Sequence, residues 1–162
     1  MIFKRMTRQA PDSTHQVISE PSMASGWIQP NQCRNLLVLV ESVTAPLLID
    51  HSAPVCLEVD IDVSVPVPCD NTRAADLITA ISRQALEAMP DGGDLMITAC
   101  CTENGVELEI ADSGMDTNHR ERALPIAAAA VGADLKWQNC PQGGVAVTIY
   151  FPAKSAQSRL AA

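Results

Sequence analysis

The stretch QALEAMPDGGDLMITACCTENGVELEIADSG, residues 84–114, decides the fold because it joins the end of a helix to a pair of strands. Pro90 and the Asp-Gly-Gly turn at residues 91–93 predict the end of that helix. Largely apolar runs flank residues 104–105, an Asn-Gly dipeptide, which is the strongest short signal for a β-hairpin. The second strand runs out into an acidic, glycine-bearing turn at Asp112. The stretch therefore predicts a helix, a hairpin and a polar strand end in direct succession.

The segments on the N-terminal side add a helix and a strand. Asn31 is a candidate helix N-cap, and Pro46 is expected to end or bend the helix that follows it. Residues 55–65 alternate apolar with mostly acidic side chains, which predicts a half-buried strand with one acidic face. Asp70 or Asn71 then caps the helix that leads into the stretch described above.

The segments on the C-terminal side add a third helix and a second hairpin. Residues 120–133, RERALPIAAAAVGA, favour a helix because alanine does, and Pro125 is tolerable only near its first turn. Residues 134–151 read as two strands around the turn NCPQGG. The order helix, strand, helix, hairpin, helix, hairpin predicts an α/β two-layer sandwich. In it, three helices cover one face of a mixed, mainly antiparallel sheet of about five strands.

Length, charge and hydropathy fit one acidic domain. Residues 1–30 are predicted to be an irregular arm, residues 31–153 the domain, and residues 154–162 a flexible tail. The net charge of −8 argues against a nucleic-acid partner, because binding phosphates needs a basic patch. No apolar run approaches the ~20 residues of a membrane span, and the N-terminus lacks a secretory signal. We therefore expect no membrane insertion and a cytoplasmic location.

The six cysteines form no C-x-x-C pair of the kind that holds zinc or carries out redox chemistry. In a cytoplasmic protein such cysteines are usually reduced. We interpret them as small core residues.

Four motifs follow one another at suitable distances along the chain, and together they resemble a known family. In order they are QALEAMPDGG, ADSG, ALPIAAAAVGADLKW and GGVAVTIYFP. Residues 32–153 resemble the ATP-binding domain of sensor histidine kinases, whose Bergerat fold is shared with gyrase and Hsp90. The resemblance implies a role in two-component signal transduction.

The resemblance also implies a nucleotide site at four positions. Asp112 corresponds to the aspartate that accepts a hydrogen bond from the adenine amino group, and Gly114 to a glycine that lets the base approach the backbone. Gln84 stands where the family has the asparagine that coordinates magnesium, so it is the candidate metal ligand. Gly144 lies in the final hairpin at the glycine of a Gly-Thr pair near the adenine. The implied cofactors are ATP or ADP with magnesium.

Other positions depart from the family pattern, mostly on the phosphate side. Gln84 is one methylene longer than asparagine, and magnesium demands tight geometry. Ala80 has no acid–base chemistry, and Asp116 replaces a glycine with a carboxylate that would repel phosphates. Val145 replaces the hydrogen-bonding threonine, and residues 120–127 contain no glycine box. We therefore expect weak magnesium-ATP binding and assign no catalytic residue.

Arg120 and Arg122 lie where the second glycine box is missing. They offer positive charge that phosphates would attract, but two solvated arginines at a helix start are the favoured interpretation.

Two functions stay open at this point. The first is a degenerate domain that acts through protein contacts, with a kinase or a response regulator of a two-component pathway as its partner. The alternative is a nucleotide-binding catalytic domain that works with a partner chain as an ATP-dependent protein histidine kinase or as an ATPase. The sequence assigns no oligomeric state.

Overall fold

The computed structural model describes residues 28–120 and 125–153, and these form a layer of helices on a sheet. Chain order is the predicted one, with each strand pair of the two hairpins consecutive. The elements are α1 (Leu36–Asp50), β1 (Val55–Ile61), α2 (Asn71–Glu87), β2 (Gly93–Thr102), β3 (Gly105–Asp112), α3 (Pro125–Val131), β4 (Asp134–Asn139) and β5 (Val145–Pro152).

Within the described residues the sheet has five strands in the order β1-β2-β3-β5-β4. Among these strands only β1 and β2 run parallel, because α2 connects them as a crossover. Short turns join the antiparallel pairs β2–β3 and β4–β5, whereas α3 and β4 lie between β3 and its antiparallel neighbour β5. The described residues thus confirm the predicted sandwich with its mixed, mainly antiparallel sheet. Strand β3 lies at the centre of this sheet, between β2 and β5.

The core lies between the sheet and the helices and is built almost entirely from aliphatic side chains. Along β3 and β5 every second residue is buried, as the period of a strand requires. Helix α2 contributes apolar residues at helical spacing to the same core. The fully buried large side chains include Leu77, Ile78, Ile81, Leu95, Ile97, Leu108, Ile110, Ile149 and Phe151.

The opposite face of the sheet, here called the outer face, is open to solvent and acidic. By strand register its charged positions share one side of the sheet. Six exposed carboxylates and one exposed lysine lie there: Glu58, Asp60, Asp94, Glu107, Glu109, Asp134 and Lys136. No helix in the described part of the chain is long and apolar enough to cross a membrane.

Helix α1 differs from its sequence prediction at both ends. Its N-cap is Asn35, whose side chain accepts a hydrogen bond from the Val38 N–H at 3.0 Å. Asn31 instead lies in a separate 3₁₀ turn, Pro30–Gln32. Pro46 lies inside the helix, which continues to Asp50, so the predicted end of the helix at Pro46 is wrong, while the alternative of a bend stays a prediction.

Strand β1 is shorter than predicted because a turn replaces its last residues. The Asp62 side chain accepts from the Ser64 N–H at 2.7 Å, and the Asp62 carbonyl accepts from the Val65 N–H at 3.0 Å. The strand therefore stops at Ile61, although the apolar–polar alternation runs on to Val65. Local side-chain bonding of aspartate competes with the sheet ladder at this point.

The interpretation of the cysteines as core residues is wrong for three of the six. Cys33 is buried, but Cys56, Cys100 and Cys101 are exposed. Cys56 and Cys100 occupy outward positions of their strands, where alternation turns any side chain toward solvent.

The N-cap assignment gives a direct test of where α1 begins. Asn35→Ala is expected to lower the free energy of unfolding by about 1 kcal/mol, because it removes the acceptor for the Val38 N–H. The measurement is urea denaturation monitored by circular dichroism. Asn31→Ala is the matched control and should change stability by less than about 0.5 kcal/mol. A larger loss from Asn31→Ala than from Asn35→Ala would contradict the assignment.

Candidate functional site

The candidate site is organised around Asp112, the last residue of β3. Its backbone lies opposite Leu95 of β2 and Val145 of β5, so both neighbouring strands fix its position. Its side chain is 1% exposed. A carboxylate this deeply buried needs a cation or several hydrogen bonds to remain charged.

Arg120 supplies that cation. Its Nη1 donates to Oδ2 of Asp112 at 2.6 Å, and its Nη2 donates to Oδ1. Its Nε donates to the Met115 carbonyl at 2.6 Å, and the arginine side chain is only 5% exposed. The pair is therefore bidentate, the strongest arrangement that arginine makes with a carboxylate. The interpretation of Arg120 as a solvated arginine is wrong, while Arg122 lies outside the described residues.

Two glycines predicted for the site lie beside Asp112 and shape the chain around it. The Gly114 N–H donates to Oδ1 of Asp112 at 2.8 Å. A Cβ on Gly114 would come within 2.4 Å of the Ala88 carbonyl oxygen, so glycine is needed where this turn packs on the end of α2. A Cβ on Gly144, which has a φ of +85°, would come within 1.8 Å of the Asp112 carbonyl oxygen. Both glycines thus permit close backbone packing around Asp112.

A small cavity of about 190 Å³ lies between α2 and the segment that follows β3. Gln84, the predicted metal ligand, lies at this cavity, and its buried Oε1 has no hydrogen-bond partner among the described residues. Typical small-molecule sites measure roughly 300–1,000 Å³, so this cavity is small for a nucleotide. Its lining consists of Gln84, Glu87, Ala88, Met115, His119 and Arg120.

The segment that carries Arg120 has its own hydrogen bonds. Asp116 caps a 3₁₀ turn by accepting from the Asn118 N–H at 2.9 Å, and the His119 ring nitrogen lies 2.9 Å from the same carboxylate oxygen. The hydrogen bond from the Asn118 N–H is the main cause that lowers the pKa of the Asp116 carboxyl below its ordinary value, and the hydrogen bond with His119 is the second cause. In the same segment, the Thr117 N–H donates to the side-chain oxygen of Asn139 of β4 at 2.9 Å. These bonds position Arg120 to turn back onto Asp112.

One thiol lies near the pair. Burial raises the pKa of Cys140, and the negative charges of Asp112 and Glu109 raise it further. At neutral pH this cysteine therefore stays a thiol, which is a poor nucleophile. Among the described residues, no group of three His, Cys, Asp or Glu side chains has a geometry that would hold a metal ion.

Comparison with solved structures places this geometry among known folds. A mycobacterial sensor histidine kinase, MprB, superposes with a TM-score of 0.59 at 17% identity, over 73% of this chain and 94% of that one. The catalytic domain of the histidine kinase ThkA gives 0.59 at 20% identity, over 74% and 95%. The histidine kinase domain of the blue-light activated kinase EL346 of Erythrobacter litoralis gives 0.60 at 19% identity, over 84% and 70%. The fold is that of histidine kinase catalytic domains.

No family model matches this chain, and neither does any curated protein sequence. At identities of 17–20%, the histidine kinase likeness concerns the fold. Within this histidine kinase fold, Asp112, Gly114 and Gly144 come together at the end of β3, and Gln84 faces the neighbouring cavity from α2.

Sequence reasoning missed the pairing of Arg120 with Asp112. The two residues are separated by eight positions across a loop, so no helical or strand period connects them. The available signal was the alternation along the strand, which puts Asp112 on the same side as Leu108 and Ile110 and so predicts a buried carboxylate that needs a cation or several hydrogen bonds. Arg120 is the first arginine or lysine after Asp112 in the sequence.

The ion pair predicts a large and coupled effect on stability. Asp112→Ala should lower the free energy of unfolding by about 3–5 kcal/mol, because it leaves the Arg120 charge buried without its partner. Urea denaturation measures this loss, with the exposed Asp94→Ala as control. The double variant Asp112→Ala/Arg120→Ala should lose less than the sum of the two single variants. Losses that simply add would show that the two residues do not interact.

The lowered pKa of Asp116 predicts a pH-dependent contribution to stability. The contribution is present above about pH 4, near the carboxyl pKa of an unfolded chain, and is lost as the pH falls through the lower folded-state value. Wild type should therefore exceed Asp116→Asn in stability at pH 6, and this difference should shrink toward pH 3. Urea midpoints of both proteins across this range measure it. A difference that grows on acidification would contradict the assignment.

Proposed function

We propose that this chain is a histidine kinase-type ATP-binding domain of two-component signalling that binds magnesium-ATP weakly or not at all. It acts through contacts with a protein partner, a kinase or a response regulator, in the cytoplasm. The observation that carries the proposal is the bidentate bond between Arg120 and Asp112. The histidine kinase fold supports the pathway, and the ion pair supports the loss of binding.

On the base side of the site, adenine and Arg120 would compete for one carboxylate, and this competition supports the proposal. By the family resemblance, Asp112 would accept a hydrogen bond from the neutral amino group of adenine. Both of its oxygens already accept from the Arg120 guanidinium, and Oδ1 also accepts from the Gly114 N–H. A hydrogen bond to a carboxylate is worth about 1.5–3 kcal/mol, and Arg120 makes two of them from a positively charged group, whereas adenine would make one from a neutral group. Adenine therefore cannot displace Arg120 on the strength of this bond alone.

The phosphate side offers little to offset that disadvantage. The cavity carries the Glu87 carboxylate, which repels phosphates, and a single amide oxygen from Gln84 for a magnesium ion. Pro125 opens α3 and has no N–H to give to a phosphate. The described residues in this arrangement do not fit magnesium-ATP, and none of them has a catalytic step through it.

Isothermal titration with magnesium-ATP tests the proposal. We expect no measurable heat up to millimolar nucleotide, because the described residues offer no free partner to the base or to the phosphates. Thermal-shift measurements on the same samples provide the second readout. A dissociation constant of tens of micromolar, abolished by Asp112→Asn, would overturn the degenerate assignment. The Asp112→Asn sample must show native circular dichroism for this comparison, since Asp112 also supports the fold.

One observation favours the alternative of a catalytic domain that works with a partner chain. The Oε1 atom of Gln84 is buried at the cavity and accepts no hydrogen bond from the described residues, as expected of an atom that binds a ligand. The alternative requires radiolabelled phosphate to pass from ATP to a histidine when this chain is mixed with a cognate partner. The degenerate domain gives no transfer above that of the partner alone.

A further inference from the structure

We infer that Arg120 competes with a nucleobase for the Asp112 carboxylate of its own chain. Its guanidinium occupies the position that the base would take, and the residues that would bind the base are still in place. This inference rests on the proposed function, since it gives the reason why binding is weak. It goes further because it implies that removal of one side chain restores binding of the base. The same carboxylate would take a different ligand once Arg120 is absent.

Asp112 does not need Arg120 to keep its orientation. Its backbone is held between β2 and β5, and the Gly114 N–H holds Oδ1 at 2.8 Å. The turn that carries Gly114 is itself fixed to α2, because the Met115 N–H donates to the Ala88 carbonyl at 3.2 Å. None of these bonds involves the arginine. Withdrawal of Arg120 therefore leaves an oriented carboxylate at the end of β3.

The acceptors left behind define the class of ligand. Without Arg120, both the Asp112 carboxylate and the Met115 carbonyl lose a donor. The Gln84 Oε1, buried at the cavity that Arg120 lines, has no donor among the described residues even with Arg120 present. Ala88 and Met115 add apolar surface to the wall. A planar ring that carries an exocyclic amino group, as an aminopurine does, supplies donors to such a site and buries its faces.

Competition within the chain explains why wild type would bind such a ligand poorly. Arg120 is tethered eight residues from Asp112, so its local concentration beside the carboxylate stays high without any binding entropy to overcome. The apparent dissociation constant for a base equals the intrinsic constant divided by the fraction of molecules in which Arg120 has left. The base site is thus closed because Arg120 occupies it in most molecules, and not because its residues have been lost.

The test uses adenosine, which has a base but neither phosphates nor any need for magnesium. Arg120→Gln keeps most of the side-chain bulk without the charge, and Arg120→Ala empties the position. Isothermal titration should give both variants an adenosine dissociation constant at least about tenfold below that of wild type. The exposed Arg83→Gln on α2 is the matched control and should behave as wild type. Adding Asp112→Asn to Arg120→Gln should abolish the gained binding.

A second measurement tests the arginine pocket independently of any base. Methylguanidinium at low millimolar concentration should raise the melting temperature of Arg120→Ala, because it refills the vacated position, and should leave wild type unchanged. It also rescues Arg120→Ala for titration if that variant is unstable by itself. Adenosine should then weaken the effect of methylguanidinium, since both occupy Asp112.

The outcomes separate this inference from the proposed function. Folded Arg120 variants that bind no adenosine, or that bind it only as well as wild type does, overturn the inference and leave a degenerate domain. Tight magnesium-ATP binding by wild type overturns the proposed function and the competitor together. Adenosine binding that appears only without Arg120 and requires Asp112 supports both.

Discussion

A carboxylate buried at the end of the central strand requires a cation or several hydrogen bonds, and in this chain the Asp112 carboxylate is bound by Arg120. The requirement acts on the whole segment between them. The turn after β3 must pass over the end of α2, which Gly114 allows because it has no Cβ to strike the Ala88 carbonyl. The arginine then returns to the strand end and also closes onto the Met115 carbonyl. One electrostatic constraint thus fixes the path of the chain beside the cavity.

The fold was predictable where local chemistry and periodicity agree. Asn104 and Gly105 placed the hairpin, and residues 91–93 placed the end of α2, because each needs a particular backbone conformation or turn. The end of β1 was not predictable from alternation, since the Asp62 side chain bonds to Ser64 and bends the chain first. The partner of Asp112 was not predictable either. The position of this partner depends on the path of a loop, and the family resemblance implies an external ligand for Asp112.

The separation of fold from site chemistry is visible on α2 and β3. The same elements that build the histidine kinase fold carry Gln84, at the cavity that Arg120 lines, and Asp112, which Arg120 binds. The identity to the solved kinases described above is only 17–20%. The core under them depends on apolar volume, which many sequences supply. The site depends on single polar atoms, and one arginine changes what they are bonded to. A fold can therefore persist while the residues at its binding site, and their bonds, change.

The acidic outer face has a consequence for how copies of this protein behave in solution. A bare sheet surface is a natural stacking platform, and apolar outward residues such as Met96 would favour such contact. Six carboxylates against one lysine make two such faces repel each other. The repulsion weakens as salt shortens the screening length to about 10 Å at 0.1 M. The charge of the outer face thus opposes face-to-face pairing of the open sheet, and it does so most strongly in dilute buffer.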